Sequence, residues 1–399
     1  LRKLYLQYFE KRGHKVIPSA SLVPKEQDIT ESDMTLFTTA GMQQFKRFYS
    51  NPNEAQFSCA TSSQKCIRTG DIDEVGDNTH LSFFEMLGNF SFGYPAKTKE
   101  GSYFKETAIK FAWEFLTEVL KFDKNRIHAT YFNGDGNTGT GEDTPSKQYL
   151  TKITKLPEGK IIGQGFKDNW WSLGTFGSPG GPTVEFYVDK IEVWNLVFNE
   201  WEWQGSGWIA LKNQGIDTGM GLERLLTTRN DHDNVYQTDL FEPIINKLEE
   251  ISGKKYQDNE KEFRIIADHV KAAVFAINDG VLPSNKGAGY VVRRLIRRTV
   301  VKGQQLGIKN NFTSELADIV FGIYDGAYFE SVIPSVPSVI PSEVEGSSSP
   351  TPPPLPKKKI NKKLVFGGTL VLLLLGGAIA LAAQFGLFRG DIRQRASPC

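Results

Sequence analysis

The chain has 399 residues, 39% apolar and 23% charged, so it suits ordinary packed cores and is not a largely disordered chain. Its 47 Lys and Arg against 46 Asp and Glu leave a formal net charge of +1. That excludes a global attraction to nucleic acid, so any basic surface must be local.

Three cysteines, Cys59, Cys66 and Cys399, are too few for a disulfide framework and point to a reducing compartment. Cys59 and Cys66 have no Cys or His at metal-ligand spacing and read as small buried thiols. No signal peptide opens the chain and no initiator Met stands first, so a few residues are expected to be missing there.

Residues 1–12 place Leu1, Leu4, Tyr5, Tyr8 and Phe9 on one helical face. "KVIPSASLVP" follows as an extended stretch broken by Pro18 and Pro24. "MTLFTTAGM" (34–42) reads as a strand entering a turn at Gly41. "AQFSCATSSQKCIRTG" (55–70) is a second strand with Arg68 at its end. An acidic loop and the apolar "LSFFEMLGNFSFG" (81–93) then complete an antiparallel hairpin. A strand has period two, so Phe83 lies on one face and Phe84 and Met86 on the other, and one set points into the core.

Residues 104–121 are helical by periodicity. In "DNWWSLGTFGSPGGPTVEFYVD" (168–189), two tryptophans precede a rigid Gly/Pro loop that stays open to a ligand. Glu185 and Asp189 follow on a strand, as ligands for a cation arriving with a nucleotide or as solvated acids. "IEVWNLVFNEWEWQ" (191–204) is β-rich.

"GIDTGMGLERLL" (215–226) reads as a strand turning into a helix. Gly219 and Gly221 clear space for a flat group to approach the backbone, and Leu222, Leu225 and Leu226 bury the helix. Arg224 sits where its planar fork reaches a phosphate, and Asp217 where a carboxylate holds an ammonium. The bland alternative is a Gly-rich turn with a surface Glu–Arg pair.

The remainder to about residue 330 is mostly helical. There Arg293, Arg294, Arg297 and Arg298 form one broad basic face with no acid nearby in the sequence, which fits phosphate contacts. Asp268 and His269 lack a further ligand at helical spacing and read as structural.

Residues 331–356 repeat SVIPS at 331–335 and 338–342 and read as a stiff Pro/Ser linker. Residues 364–388 carry no charge over 25 positions and read as a transmembrane helix. Five flanking lysines (357, 358, 359, 362, 363) against three arginines (389, 393, 395) put the large N-terminal part in the cytoplasm. The predicted architecture is α+β: an antiparallel sheet flanked by helices over 1–230, an all-α domain over 231–330, a linker over 331–363, the membrane helix over 364–388 and a tail over 389–399.

In order, "GHKVIPSASLVP", "LFTTAGMQQFK", "ATSSQKCIRTG", "FFEMLGNFSFG", "IEVWNLVF", "IDTGMGLER", "RIIADHVKAAVFAINDGVLPSN" and "GYVVRRLIRR" resemble the N-terminal part of the alanyl-tRNA synthetases, a class II aminoacyl-tRNA synthetase family. The resemblance covers residues 1–330. It implies a class II antiparallel sheet and a truncated helical tRNA-recognition domain. It also implies the activation of alanine with ATP and Mg²⁺ to alanyl-adenylate, then transfer to the 3′ end of tRNA(Ala).

By the same resemblance Arg68 and Arg224 bind ATP phosphates, and Phe83 stacks on adenine with Met86 nearby. Gly219 and Gly221 let the base lie on the backbone, and Asp217 holds the α-ammonium of alanine. Arg68, Asp217 and Arg224 are then the catalytic set. Trp171, Asn195 and Val197, with Asp217 and Gly219, line the alanine pocket, and the four arginines contact tRNA.

Three features depart from the family. The loop after Arg68 lacks the lysine many members carry, "SPGGPTVE" replaces a Cys-containing loop, and the pattern ends near residue 330. The editing domain and its zinc ligands have no counterpart in the chain, so zinc is not expected. Glycine and serine are expected to be misactivated without correction in cis. The alternatives are a membrane-anchored synthetase-like binding protein without catalysis, an amino-acid ligase with a non-tRNA acceptor, or two unrelated genes joined near 331–345.

Overall fold

The computed structural model describes residues 1–24, 35–95, 100–136, 139–172 and 174–329. Leu1–Val332 forms one compact unit, and Ile333–Cys399, a second unit, lies outside the described residues.

The first unit is built on a nine-stranded sheet. Its strands are β1 (Lys15–Val16), β2 (Cys59–Ile67), β3 (Phe83–Tyr94), β4 (Ile127–Phe132), β5 (Ile161–Gln164), β6 (Trp170–Ser172), β7 (Pro179–Val188), β8 (Ile191–Trp203) and β9 (Trp208–Gly221). The order is β1-β2-β3-β9-β8-β7-β4-β5, with β6 on β7. β1–β2 and β4–β5 are parallel and every other pairing is antiparallel. The β-branched and aromatic runs of β7, β8 and β9 favour a pleated surface, and their long antiparallel meander forms its middle.

Helices Arg2–Glu10 and Lys105–Glu114 cover one face. Tyr5, Phe9 and Phe115 pack there around Trp194 of β8, with ring centroids 5.7, 6.3 and 5.7 Å from it. After residue 230, helices Glu242–Ser252, Glu260–Asn278, Gly287–Gln305 and Thr313–Ile323 follow. Their buried side chains join the same apolar core as the sheet.

The expected fold class needs one correction. The sheet with flanking helices is present, but among the described residues no helix is long and apolar enough to cross a membrane. The segment assigned as the transmembrane helix (364–388), with the linker (331–363) and tail (389–399), lies outside the described residues. A second expectation also fails. Residues 35–40 form no strand, and Gly41–Phe45 is a short 3-10 helix. The apolar alternation there serves docking instead: Met42 and Phe45 are buried against Phe90 and Phe92.

Candidate functional site

The hairpin β2–β3 and strands β8 and β9 enclose a cleft of about 540 Å³. Register explains who meets whom. Val197 stands opposite Asp217 and Asn195 opposite Gly219 across β8–β9, while Met86 stands opposite Gly221 across β3–β9. These residues share one face by the two-residue period. Arg68 leaves the end of β2, and Trp171 enters from β6. Gly221 ends β9 and caps the helix Leu222–Arg229, so Arg224 rises from its first turn.

The cleft therefore gathers Arg68, Met86, Trp171, Asn195, Val197, Asp217, Gly219, Gly221 and Arg224 from 157 residues of chain. A Cβ at Gly219 would come within 3.0 Å of Met86 Sδ, whereas at Gly221 it would meet only the Arg224 side chain, at 3.8 Å. Gly219 thus lets Met86 lie flat on the strand.

Phe83 is a correction. It is fully buried and stacks on Phe275 of the helix Glu260–Asn278, 4.0 Å between centroids at 14°. The cleft ring is Phe84, with the Arg68 guanidinium 5.0 Å from its centroid. Strand alternation gives the reason. Phe83, Glu85 and Leu87 face the core, and Phe84 and Met86 face the cleft. Glu85 is tolerated inside because Arg2 pairs with it and Tyr328 Oη donates to it at 2.8 Å.

Asp217 is 5% exposed, and among the described residues nothing pairs with its carboxylate. Burial pushes its pKa up to about 7. Arg224 Nη1 donates to Glu192 Oε2 at 3.2 Å. Glu192 was not singled out from the sequence. It lies 32 residues from Arg224, and only strand register brings the two together.

Glu185 is not solvated as the sequence allowed. It accepts hydrogen bonds from Tyr187 Oη (2.7 Å) and Asn195 Nδ2 (2.9 Å). Burial, then the neighbouring Glu192 charge, push its pKa up to about 7. Asp189 pairs with Arg126 at the surface. Among the described residues no group of three or more His, Cys, Asp or Glu is placed to hold a metal ion.

A second concavity, about 750 Å³, is lined by Arg293, Arg294, Arg297 and Arg298 with Lys261 and Lys302. The expectation of no nearby acid is corrected here. Asp73, from the loop after Arg68, bridges Arg294 (2.7 Å) and Arg298 (3.1 Å). Arg298 Nε also bonds His269 Nε2 at 2.9 Å, and His269 bonds Asp268 at 2.8 Å. Asp268 in turn accepts from the Ser82 backbone N–H. Arg293 donates to Asn285. Both Asp268 and His269 are buried, as are Cys59 and Cys66.

The family model for tRNA synthetases class II (A) matches residues 1–344. The alanine–tRNA ligase of Desulfosudis oleivorans is 41% identical over 359 residues, covering 82% of this chain and 38% of that protein. Those of Caldicellulosiruptor saccharolyticus and Endomicrobium trichonymphae are each 39% identical, covering 83% and 86% of this chain and 38% and 40% of their own lengths. The chain thus spans about two fifths of the length of these relatives. With a family match running over residues 1–344, the chain belongs to the class II (A) tRNA synthetases.

Proposed function

We propose that this chain activates alanine with ATP, giving alanyl-adenylate and pyrophosphate, and passes the alanyl group to the 3′ end of tRNA(Ala). One observation carries the reading: Arg68 and Arg224, from distant parts of the chain, open onto the same cleft as the buried Asp217, whose carboxylate has no partner among the described residues. Two guanidinium groups suit a triphosphate, and a lone carboxylate suits an ammonium. The named alanine–tRNA ligase relatives support the choice of alanine.

In this reading the alanine carboxylate attacks the α-phosphorus, and pyrophosphate leaves. Arg68 and Arg224 stabilise the charge developing on the phosphate oxygens. Asp217 holds the α-ammonium, and Trp171, Asn195 and Val197 bound a space for one methyl group. Phe84, with Met86 beside it, supplies the surface on which adenine stacks, the place the resemblance gave to Phe83. Gly219 and Gly221 keep the floor low. Mg²⁺ supplies charge neutralisation on the triphosphate when bound. Arg224 must exchange Glu192 for phosphate as ATP enters; the pair is partly exposed, so the exchange costs little. The groove of Arg293, Arg294, Arg297 and Arg298 is the site for tRNA phosphates, and this favours a tRNA acceptor over a smaller one.

Alanine-dependent ATP–pyrophosphate exchange by the purified chain tests the first step. Arg224→Ala is expected to lower its kcat/KM by about 10²–10³. Absence of exchange in the unaltered chain would overturn the reading and favour a non-catalytic binding protein.

A further inference from the structure

The loop between β2 and β3, residues 68–82, joins the strand end that carries Arg68 to the strand start that carries Phe84. Its Thr79, His80 and Leu81 line the cleft, while Asp73, Glu74, Asp77 and Asn78 stand exposed. So polar a loop keeps one shape only where its ends are gripped. One chain of hydrogen bonds grips both. At the far end the Ser82 N–H donates to Asp268 Oδ1 at 2.8 Å, and the Ser82 carbonyl accepts from the Arg68 N–H at 3.0 Å. At the near end Arg298 donates from Nη1 to Asp73 Oδ1 at 3.1 Å and from Nη2 to the Ile72 carbonyl at 3.2 Å. His269 joins the two ends: Arg298 Nε donates to its Nε2 at 2.9 Å, and its Nδ1 lies 2.8 Å from Asp268 Oδ2. A guanidinium only donates and a carboxylate only accepts, so the imidazole between them has one arrangement, with its proton on Nδ1 and a bare Nε2 toward Arg298. Asp268 and His269 are both 0% exposed. Two apolar residues could fill that space on the helix Glu260–Asn278 without the cost of burying polar groups, but they could not hold the loop.

We propose that His269 is a positioning residue for ATP: by accepting from Arg298 and donating to Asp268 it fixes the two ends of the loop against each other, and with them the spacing between Arg68 on the phosphates and Phe84 on the base. The inference rests on the ATP-using reading above. Alanine is spared, because Asp217, Trp171 and Val197 belong to β9, β6 and β8, which the loop does not carry. Although Arg298 lines the arginine groove, its Nε, Nη1 and Nη2 are all engaged within the chain.

The test is ATP–pyrophosphate exchange by the full chain, with ATP and alanine varied separately. His269→Asn keeps an N–H for Asp268 but is too short to accept from Arg298. Its ATP KM is expected to rise about 5- to 30-fold, with the alanine KM and kcat within about twofold of wild type. His269→Gln puts an amide oxygen where Nε2 stood, and should return the ATP KM to within about threefold of wild type. A merely structural role would instead lower the thermal midpoint and kcat together and leave both KM values in place. An ATP KM for His269→Asn less than about threefold above wild type would overturn the proposal. So would an equal rise in His269→Gln. Should His269→Asn fail to fold, Asp73→Ala at the surface decides: a rise in ATP KM of about threefold or more supports the role, and a smaller change refutes it. If the unaltered chain showed no alanine-dependent exchange, the functional reading would fail; if it did and His269→Asn matched it, only the role of His269 would.

Discussion

A single peptide bond separates opposite fates for two adjacent phenylalanines. Phe83 and Phe84 share a composition and a neighbourhood, yet one stacks on Phe275 in the core and the other meets Arg68 in the cleft. Phe83→Ala is therefore expected to cost about 3–5 kcal/mol of stability, read by urea unfolding. Phe84→Ala should leave stability nearly intact and raise the KM for ATP about 10-fold or more, since stacking on a base is worth about 1–3 kcal/mol.

Asp217 carries a pH signature. Its carboxyl titrates at about 7 because burial disfavours the charge, and Glu185, under burial and the Glu192 charge, does the same. Asp168 also repels Glu185, while Arg224 and the Tyr187 hydrogen bond oppose the shift. Alanine binding uses Asp217 as a carboxylate, so the alanine KM should fall as pH rises from about 5 toward about 7 and level off above it. Stability moves the other way. The folded chain keeps protons that the unfolded chain releases near 3.8 and 4.5, so these two groups make folding less favourable as pH rises from about 4 to about 7. KM–pH profiles and unfolding midpoints over that range check both signs.

At the scale of elements, the helix Glu260–Asn278 does more than cover the sheet. Its Lys271 Nζ pairs with Glu223 Oε1 at 3.0 Å, both groups essentially without exposure. Nζ also lies 4.1 Å from the centre of the Phe241 ring. Glu223 precedes Arg224 and accepts from the Glu85 backbone N–H at 3.1 Å. Burial raises the Glu223 pKa, and Lys271 opposes that rise. One ion pair thus ties the late helices to the turn that carries Arg224 and to strand β3. Lys271→Met would leave Glu223 unpaired in the core, so a loss of about 3–5 kcal/mol in urea unfolding is expected. A variant with unchanged stability would show that the pair does not tie these elements.

At the scale of the whole molecule, the arginine groove and the cleft are joined through the loop after Arg68. Asp73 of that loop holds Arg294 and Arg298, while Arg293 and Arg297 stay exposed. Replacing Arg293 and Arg297 with alanine should weaken tRNA binding and flatten the slope of log K against log salt by about 1–2. Alanine-dependent exchange without tRNA should be unaffected. Asp73→Ala should instead strengthen tRNA binding at low salt, because a competing carboxylate is gone. A filter-binding titration over a salt series measures both.

What the sequence by itself determined was local or carried by order. The aromatic and β-branched runs set β3, β8 and β9, the 3.6-residue spacing set the late helices, and the string of motifs pointed to Arg68, Asp217 and Arg224. Those signals act over a few residues or repeat a family pattern, so one chain suffices to read them. Tertiary structure decided what depends on two distant segments meeting. It put Phe84 in the cleft instead of Phe83, set Glu192 on Arg224, brought Asp73 to a face that looked free of acids, and buried Glu185 behind Asn195. Each outcome follows from strand register or from packing between segments remote in sequence, and a one-residue change in register would exchange the faces.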